Sequence, residues 1–220
     1  MAKIKTNTAG NLPANVNDFL KSFSDSWEVE GSILKKGSRS TVKSIQVGSH
    51  ELVIKIYKKM PLHRRFRYAL TRSRARQSWE SAQVMLAAGI PVAQPLALLE
   101  EHQLGIPSRA ALLMETASGE DLLGLVERNE LTPDQIATIA QSLQSIFCTM
   151  RVAKITHGDL KATNIIIDRD LQPVFIDIDA AQQHRSTASY RKLQVKDECR
   201  FLANWQSTPE VAKAFAQVFE

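Results

Sequence analysis

The chain has 220 residues, 44% hydrophobic and 23% charged, which is enough apolar side chain to close a core and too much for general disorder. Two cysteines, Cys148 and Cys199, exclude a disulfide framework, and no Cys/His cluster has zinc spacing. They read as buried or idle thiols in a reducing compartment. The N-terminal segment holds no apolar run of a signal peptide, and no stretch approaches the ~20 apolar residues of a membrane span. A soluble, cytoplasmic chain is therefore expected.

The net charge of +5 is unevenly placed. Lys55, Lys58, Lys59, Arg64, Arg65, Arg67, Arg72, Arg74 and Arg76 follow one another with no acid between them, which leaves the rest of the chain net negative. Such a block is either a solvated helix face or a contact surface for something anionic, whether phosphorylated glycolipid, membrane surface or nucleic acid. Charge alone does not choose among these.

In chain order, Phe19, Leu20, Phe23 and Trp27 recur at helical spacing and predict a short helix over Asn15 to Trp27. The period then changes to two. Ser32–Leu34, Thr41–Val47 and Leu52–Tyr57 read as strands of an antiparallel meander, with turns at Gly37 and Gly48. A helix is expected from about Arg72 to Ala88, stopping at Gly89 with Pro91 beyond. Two more strands, Pro95 to Glu100 and Arg109 to Met114, bracket a turn. After Met114, Ser118 is the expected cap of a helix beginning at Gly119. Thr132-Pro133-Asp134 starts a long helix ending near Val152. Short strands follow at Ile165–Ile167 and Val174–Ile176, and the tail from Tyr190 is helical with a break at Ser207-Thr208-Pro209. The reading is α+β in two lobes, residues 1–115 with an antiparallel sheet and one helix, and residues 116–220 mainly helical.

One stretch carries chemistry: His157-Gly158-Asp159-Leu160-Lys161-Ala162-Thr163-Asn164, then Phe175-Ile176-Asp177-Ile178-Asp179. A helix delivers the chain into a loop, and a tight hairpin returns Asp177 beside Asn164. Two carboxylates, an amide and an ammonium are thereby gathered at a strand pair. Phosphoryl transfer requires such groups: a carboxylate for the acceptor hydroxyl, oxygen ligands for the magnesium bridging the nucleotide phosphates, and positive charge for the transferred group. Order and spacing match the protein-kinase signature H-x-D-L-x-x-x-N followed by a metal aspartate.

The N-terminal half supplies partners in the matching order. Gly37, Ser38, Arg39 and Ser40 sit at the hairpin where a kinase covers the nucleotide phosphates, although Gly37 alone remains of the usual glycines. Lys55 lies on the third strand, where the phosphate-pairing lysine is expected. Met114-Glu115-Thr116 falls where the backbone would bond adenine.

Together with Lys36–Val42 and the Gly89-Ile90-Pro91-Val92 turn, these motifs resemble the lipopolysaccharide core kinases, protein-kinase-like enzymes that phosphorylate heptose or Kdo sugars. The resemblance runs from about Ser32 to Trp205. It implies ATP and Mg2+ as cofactors, Asp159 as catalytic base assisted by Lys161, Asn164 and Asp177 as metal ligands, and Lys55 on the nucleotide phosphates. It also implies Asp197 as a brace for the catalytic loop, with an exposed helix residue as the alternative. The acceptor implied is the lipopolysaccharide core or another anionic glycolipid. Arg64, Arg65 and Arg67 are candidates for peripheral contact with the inner membrane, and no nucleic acid is expected. The chain departs from the kinase pattern in three places. Ser78 stands where the glutamate pairing with Lys55 is expected, and the nearest acid, Glu80, lies about 200° further round a helix. Gly158 replaces the arginine of phosphate-switched kinases. About forty residues follow Asp177, with no anchor for a peptide-binding segment. Two other readings stay open: a compact protein kinase like that of tRNA threonylcarbamoyl modification, and a non-catalytic kinase-like module in envelope or solvent stress tolerance.

Overall fold

The structure, a computed structural model, describes residues 2–59, 73–103 and 106–219. The chain divides into two compact units, residues 1–79 with 94–116, and residues 80–93 with 117–220. Arg64, Arg65, Arg67 and Arg72 lie outside the described residues.

The first unit is built on six antiparallel strands: β1 (Ala2–Thr8), β2 (Ser32–Lys36), β3 (Ser40–Val47), β4 (His50–Tyr57), β5 (Pro95–Gln103) and β6 (Ile106–Glu115). Their order across the sheet is β1-β5-β6-β4-β3-β2. Five of these strands follow from their alternating apolar residues. β1 is the correction: Ala2–Thr8 alternates only weakly, and it becomes a strand because its backbone pairs with β5 from Ala2↔Gln103 to Thr8↔Ala97. Lysines at positions 3 and 5 suit such an outer strand, since charge there discourages pairing with other chains.

Alternation along β4 separates the two faces of the sheet. Leu52 and Ile54 join Val16, Leu20, Phe23 and Trp27 in the core beneath α1 (Ala14–Ser26). Lys55 and Tyr57 face the other way, Tyr57 among Leu98, Ala110, Leu112 and Ala75. Ala75 comes from the start of α2 (Arg74–Ala87). There Arg76 gives a hydrogen bond from Nε to the Glu100 carboxylate at 3.0 Å, and Ser73 Oγ donates to the same group. Glu100 is buried. One cation of the basic block is thus committed to an internal ion pair rather than to a surface.

The second unit holds the later part of α2, then β7 (Glu120–Asp121), α3 (Leu122–Glu127), α4 (Pro133–Ala153), β8 (Ile155–Thr156), β9 (Ile165–Ile167), β10 (Pro173–Phe175), β11 (Gln182–Gln183), α5 (Thr187–Leu202) and α6 (Pro209–Ala216). Ser118 is not a helix cap. The chain pairs Glu120 and Asp121 with β9 first, and Asp121 then caps α3 by accepting from Gly124 N at 2.9 Å. Gly119 holds a φ of +124° with its Cα against the Ile167 carbonyl, an approach a Cβ would block. Around α4, Phe147, Phe175, Phe201, Trp205 and Phe215 make one aromatic core. The strand pair β9–β10 closes over it, with Phe175 N bonding Pro91 O at 2.9 Å.

Both cysteines are free and exposed. Among the described residues no helix is long and apolar enough to cross a membrane. The start of α4 is a complete capping box: Thr132 Oγ1 accepts from Gln135 N, and the Gln135 side chain accepts from Thr132 N. Thr132→Ala should lower stability by about 1 kcal/mol. Denaturant unfolding would read this as a shifted midpoint at unchanged slope.

Candidate active site

The site is assembled where α4 ends. Lys154 takes a left-handed conformation and caps the helix, and β8 then carries the chain into the loop at His157. The loop is held from behind by α5. The Asp197 carboxylate accepts from His157 N at 2.7 Å and from Gly158 N at 3.0 Å. Asp197 is buried, and the two amides are its compensation. The brace implied by the resemblance is therefore present as hydrogen bonds, and the exposed-residue alternative is excluded.

His157 is fully buried and uses both ring nitrogens. Nε2–H donates to Ile176 O at 3.1 Å, and Nδ1 accepts from Asp159 N at 3.3 Å. Only a neutral ring with its proton on Nε2 satisfies both. Burial holds its pKa below the ordinary 6.5 and outweighs the opposing attraction of Asp197, Asp159 and Asp177. Gly158 follows at φ +79°, where a Cβ would overlap the Ala180 carbonyl. An arginine cannot occupy this position without displacing that segment.

Asp159 emerges from the loop partly exposed. Lys161 Nζ lies 3.2 Å from Oδ2 and Arg200 Nη1 lies 2.6 Å from Oδ1. Arg200 is a residue the sequence reading missed. The available signal was its spacing: it stands three residues after Asp197, about 60° from it round α5. Asn164 closes the loop, Nδ2 donating to Asp159 O at 2.9 Å, while its carbonyl accepts from Ile176 N at 3.0 Å. That bond ties the loop to the residue before Asp177. Asp177 itself sits in the left-handed region, φ 56° and ψ 44°, ahead of a short 3-10 turn over Ile178–Ala180.

Asp159, Lys161, Asn164 and Asp177 are thus gathered in the second unit. Glu80 belongs to the same unit, on α2. The remaining candidates lie in the first unit. Lys55 is buried mid-strand with its ammonium 5.5 Å from the Tyr57 ring centroid. Gly37–Ser40 forms the β2–β3 turn, closed by Gly37 N to Ser40 O at 2.9 Å, and Lys58 Nζ donates to Gly37 O at 2.8 Å. Glu115 ends β6, its N–H bonded to Gln94 O at 2.9 Å. The described residues contain no group of three or more His, Cys, Asp or Glu able to hold a metal ion by themselves. Asn164 and Asp177 offer an amide oxygen and a carboxylate. That donor set suits a magnesium ion which takes its other oxygens from phosphates and water.

A family model described as the lipopolysaccharide kinase (Kdo/WaaP) family matches residues 24–217. The chain belongs to that family, whose members are kinases acting on sugar hydroxyls, and it is a phosphotransferase. No curated protein matches it.

The neutral His157 gives the fold a pH dependence whose sign is fixed. Below its ordinary value of about 6.5 the unfolded chain takes up a proton that the native ring refuses. Stability should therefore be complete above that pH and fall as pH drops below it. His184, also held low by partial burial, acts in the same direction. Thermal unfolding should show a lower midpoint at about pH 5.5 than at about pH 7.5, and His157→Gln should flatten the difference while lowering both midpoints.

Proposed function

We propose that the protein transfers the γ-phosphoryl group of ATP, with Mg2+, to a hydroxyl of a heptose or Kdo sugar in the lipopolysaccharide inner core, within a two-lobed protein-kinase-like fold. The observation that carries this reading is the Asp159 carboxylate, presented by a loop whose backbone is pinned through Asp197 while Asn164 holds the next strand against it.

Asp159 accepts the proton of the acceptor hydroxyl as the hydroxyl oxygen attacks the γ-phosphorus, and the bond from that phosphorus to the β–γ bridging oxygen breaks to release ADP. Lys161, 3.2 Å from Asp159 Oδ2, places its ammonium where charge develops on the transferred group. Asn164 and Asp177 hold the metal, which when bound neutralises the nucleotide's phosphate charge. Residues 1–115 form the nucleotide-binding lobe: Lys55 pairs with the phosphates, the Gly37-Ser38-Arg39-Ser40 turn covers them, and the backbone at Glu115 bonds adenine. Residues 116–220 form the catalytic lobe. The work is done at the cytoplasmic face of the inner membrane, with Arg64, Arg65 and Arg67 contributing electrostatic contact to the anionic surface.

Asp159→Asn should cut phosphoryl transfer to a core oligosaccharide by about 10²–10⁴-fold while leaving ATP affinity unchanged, because the base acts on the acceptor. Mass spectrometry of the product, following the gain of one phosphate, measures the transfer. Retained turnover would remove Asp159 from the role. Asp177→Ala should instead weaken magnesium-dependent nucleotide binding by about tenfold or more, since a charged metal ligand is lost. Equal affinity in calorimetry would place the metal elsewhere.

A further inference from the structure

The ion pair between Arg200 and Asp159 has no use in the reading above, and it opposes it: a guanidinium 2.6 Å from Oδ1 occupies a carboxylate oxygen that an acceptor hydroxyl would need. It is also an exchangeable contact. The Arg200 side chain is 49% exposed and Asp159 28%, and ion pairs this open are worth about 0–1 kcal/mol. A guanidinium carries five N–H donors in a planar fork, and a single carboxylate oxygen leaves most of them for another anion.

Arg200 is not alone. Lys192, Lys196 and Arg200 recur every four residues of α5 and all three are exposed. Four residues advance a helix by about 6 Å and rotate it by about 40°, so the three form one cationic stripe roughly 12 Å long ending at Asp159. The acids of α5 do not interrupt it. Asp197 is buried on the loop amides, and Glu198 falls about 160° round from Arg200, where it accepts from Gln194 Nε2 at 2.6 Å. Lys161 adds a fourth cation at the same end.

From this geometry we infer that Arg200, backed by Lys196 and Lys192, is the acceptor-recognition element, binding a carboxylate carried by the sugar chain whose hydroxyl Asp159 receives. The inference rests on the role proposed for Asp159. The occupant is the acidic acceptor itself and not the bilayer, because the stripe ends on the candidate base. On binding, Arg200 exchanges the Asp159 carboxylate for the acceptor's anion. The base is thereby released only when an acidic acceptor is in place.

The test uses the full chain and a delipidated core oligosaccharide containing Kdo, alongside the same oligosaccharide with its carboxyls reduced to alcohols. Without ATP, wild type should bind the acidic form about tenfold or more tightly than the reduced form, the size of one charge-assisted contact. Arg200→Gln should abolish that preference and Arg200→Lys should restore part of it. Lys192→Gln with Lys196→Gln, both on exposed positions, should lose about threefold at low salt and less at high salt. In turnover, Arg200→Gln should raise the acceptor KM with the ATP KM unchanged. Equal binding of the two oligosaccharides by wild type, or undiminished preference in Arg200→Gln, overturns the inference. So does binding of phosphatidylglycerol vesicles that is lost in the double lysine variant while oligosaccharide binding persists, since the stripe would then be a membrane contact. A wild type that discriminates through Arg200 yet forms no phosphorylated product leaves the recognition element standing and removes the transfer reaction. Product formed with the same acceptor KM in both proteins does the reverse.

Discussion

The Asp197 carboxylate is a buried charge that accepts the backbone N–H groups of His157 and Gly158, and the candidate site is organised around it. Hydrogen bonds to a charged group contribute about 1.5–3 kcal/mol each, and orphaning the two amides would cost a similar amount. With Asp197 in place, the loop backbone is held at two consecutive residues. His157 then faces Ile176, Asp159 faces outward, and Asn164 reaches back to the Asp159 carbonyl.

The conformational cost of the arrangement is concentrated in the same few residues. Asp177 occupies the left-handed region, which disfavours a residue with a Cβ by roughly 1–2 kcal/mol. The Ile176–Asn164 backbone bond on one side and the 3-10 turn on the other hold it there. Gly158 meets the same steric demand by having no side chain. His157 forgoes its charge although three carboxylates favour it, because desolvation of a fully buried ring is the larger effect. Strain and burial of this kind persist only where surrounding contacts over-determine them.

How much of this the sequence disclosed depended on the range of the contact involved. Lys55 was legible from the period-two pattern of β4, which puts it on the face opposite Leu52 and Ile54. The α4 start was legible because Thr132, Pro133 and Gln135 act within one turn. The Asp159, Asn164 and Asp177 set was legible because one loop and one hairpin carry it. β1 was not, since pairing with β5, some ninety residues on, makes it a strand. Ser118 misled for the opposite reason: a local cap signal gave way to strand pairing at Glu120 and Asp121, and Asp121 took the cap. The role of Arg76 was hidden within a charge block, where nothing local distinguishes a cation that reaches a buried Glu100 from one that meets solvent. Arg200 reaches Asp159 across 41 positions, and only its spacing from Asp197 hinted at it.

That spacing places two opposite kinds of electrostatic contact in a single turn of α5. Asp197, 5% exposed, makes a contact that cannot be exchanged, because breaking it would strand a charge and two amides away from water. Arg200, half exposed, makes one that can be exchanged, because water stabilises both partners once they separate. The helix needs no movement of its own to serve both ends. Its buried side fixes where the Asp159 backbone stands, and its exposed side determines what the Asp159 carboxylate meets. Since the two contacts are set by solvent access rather than residue type alone, the loop backbone can stay fixed while its outermost carboxylate changes partner.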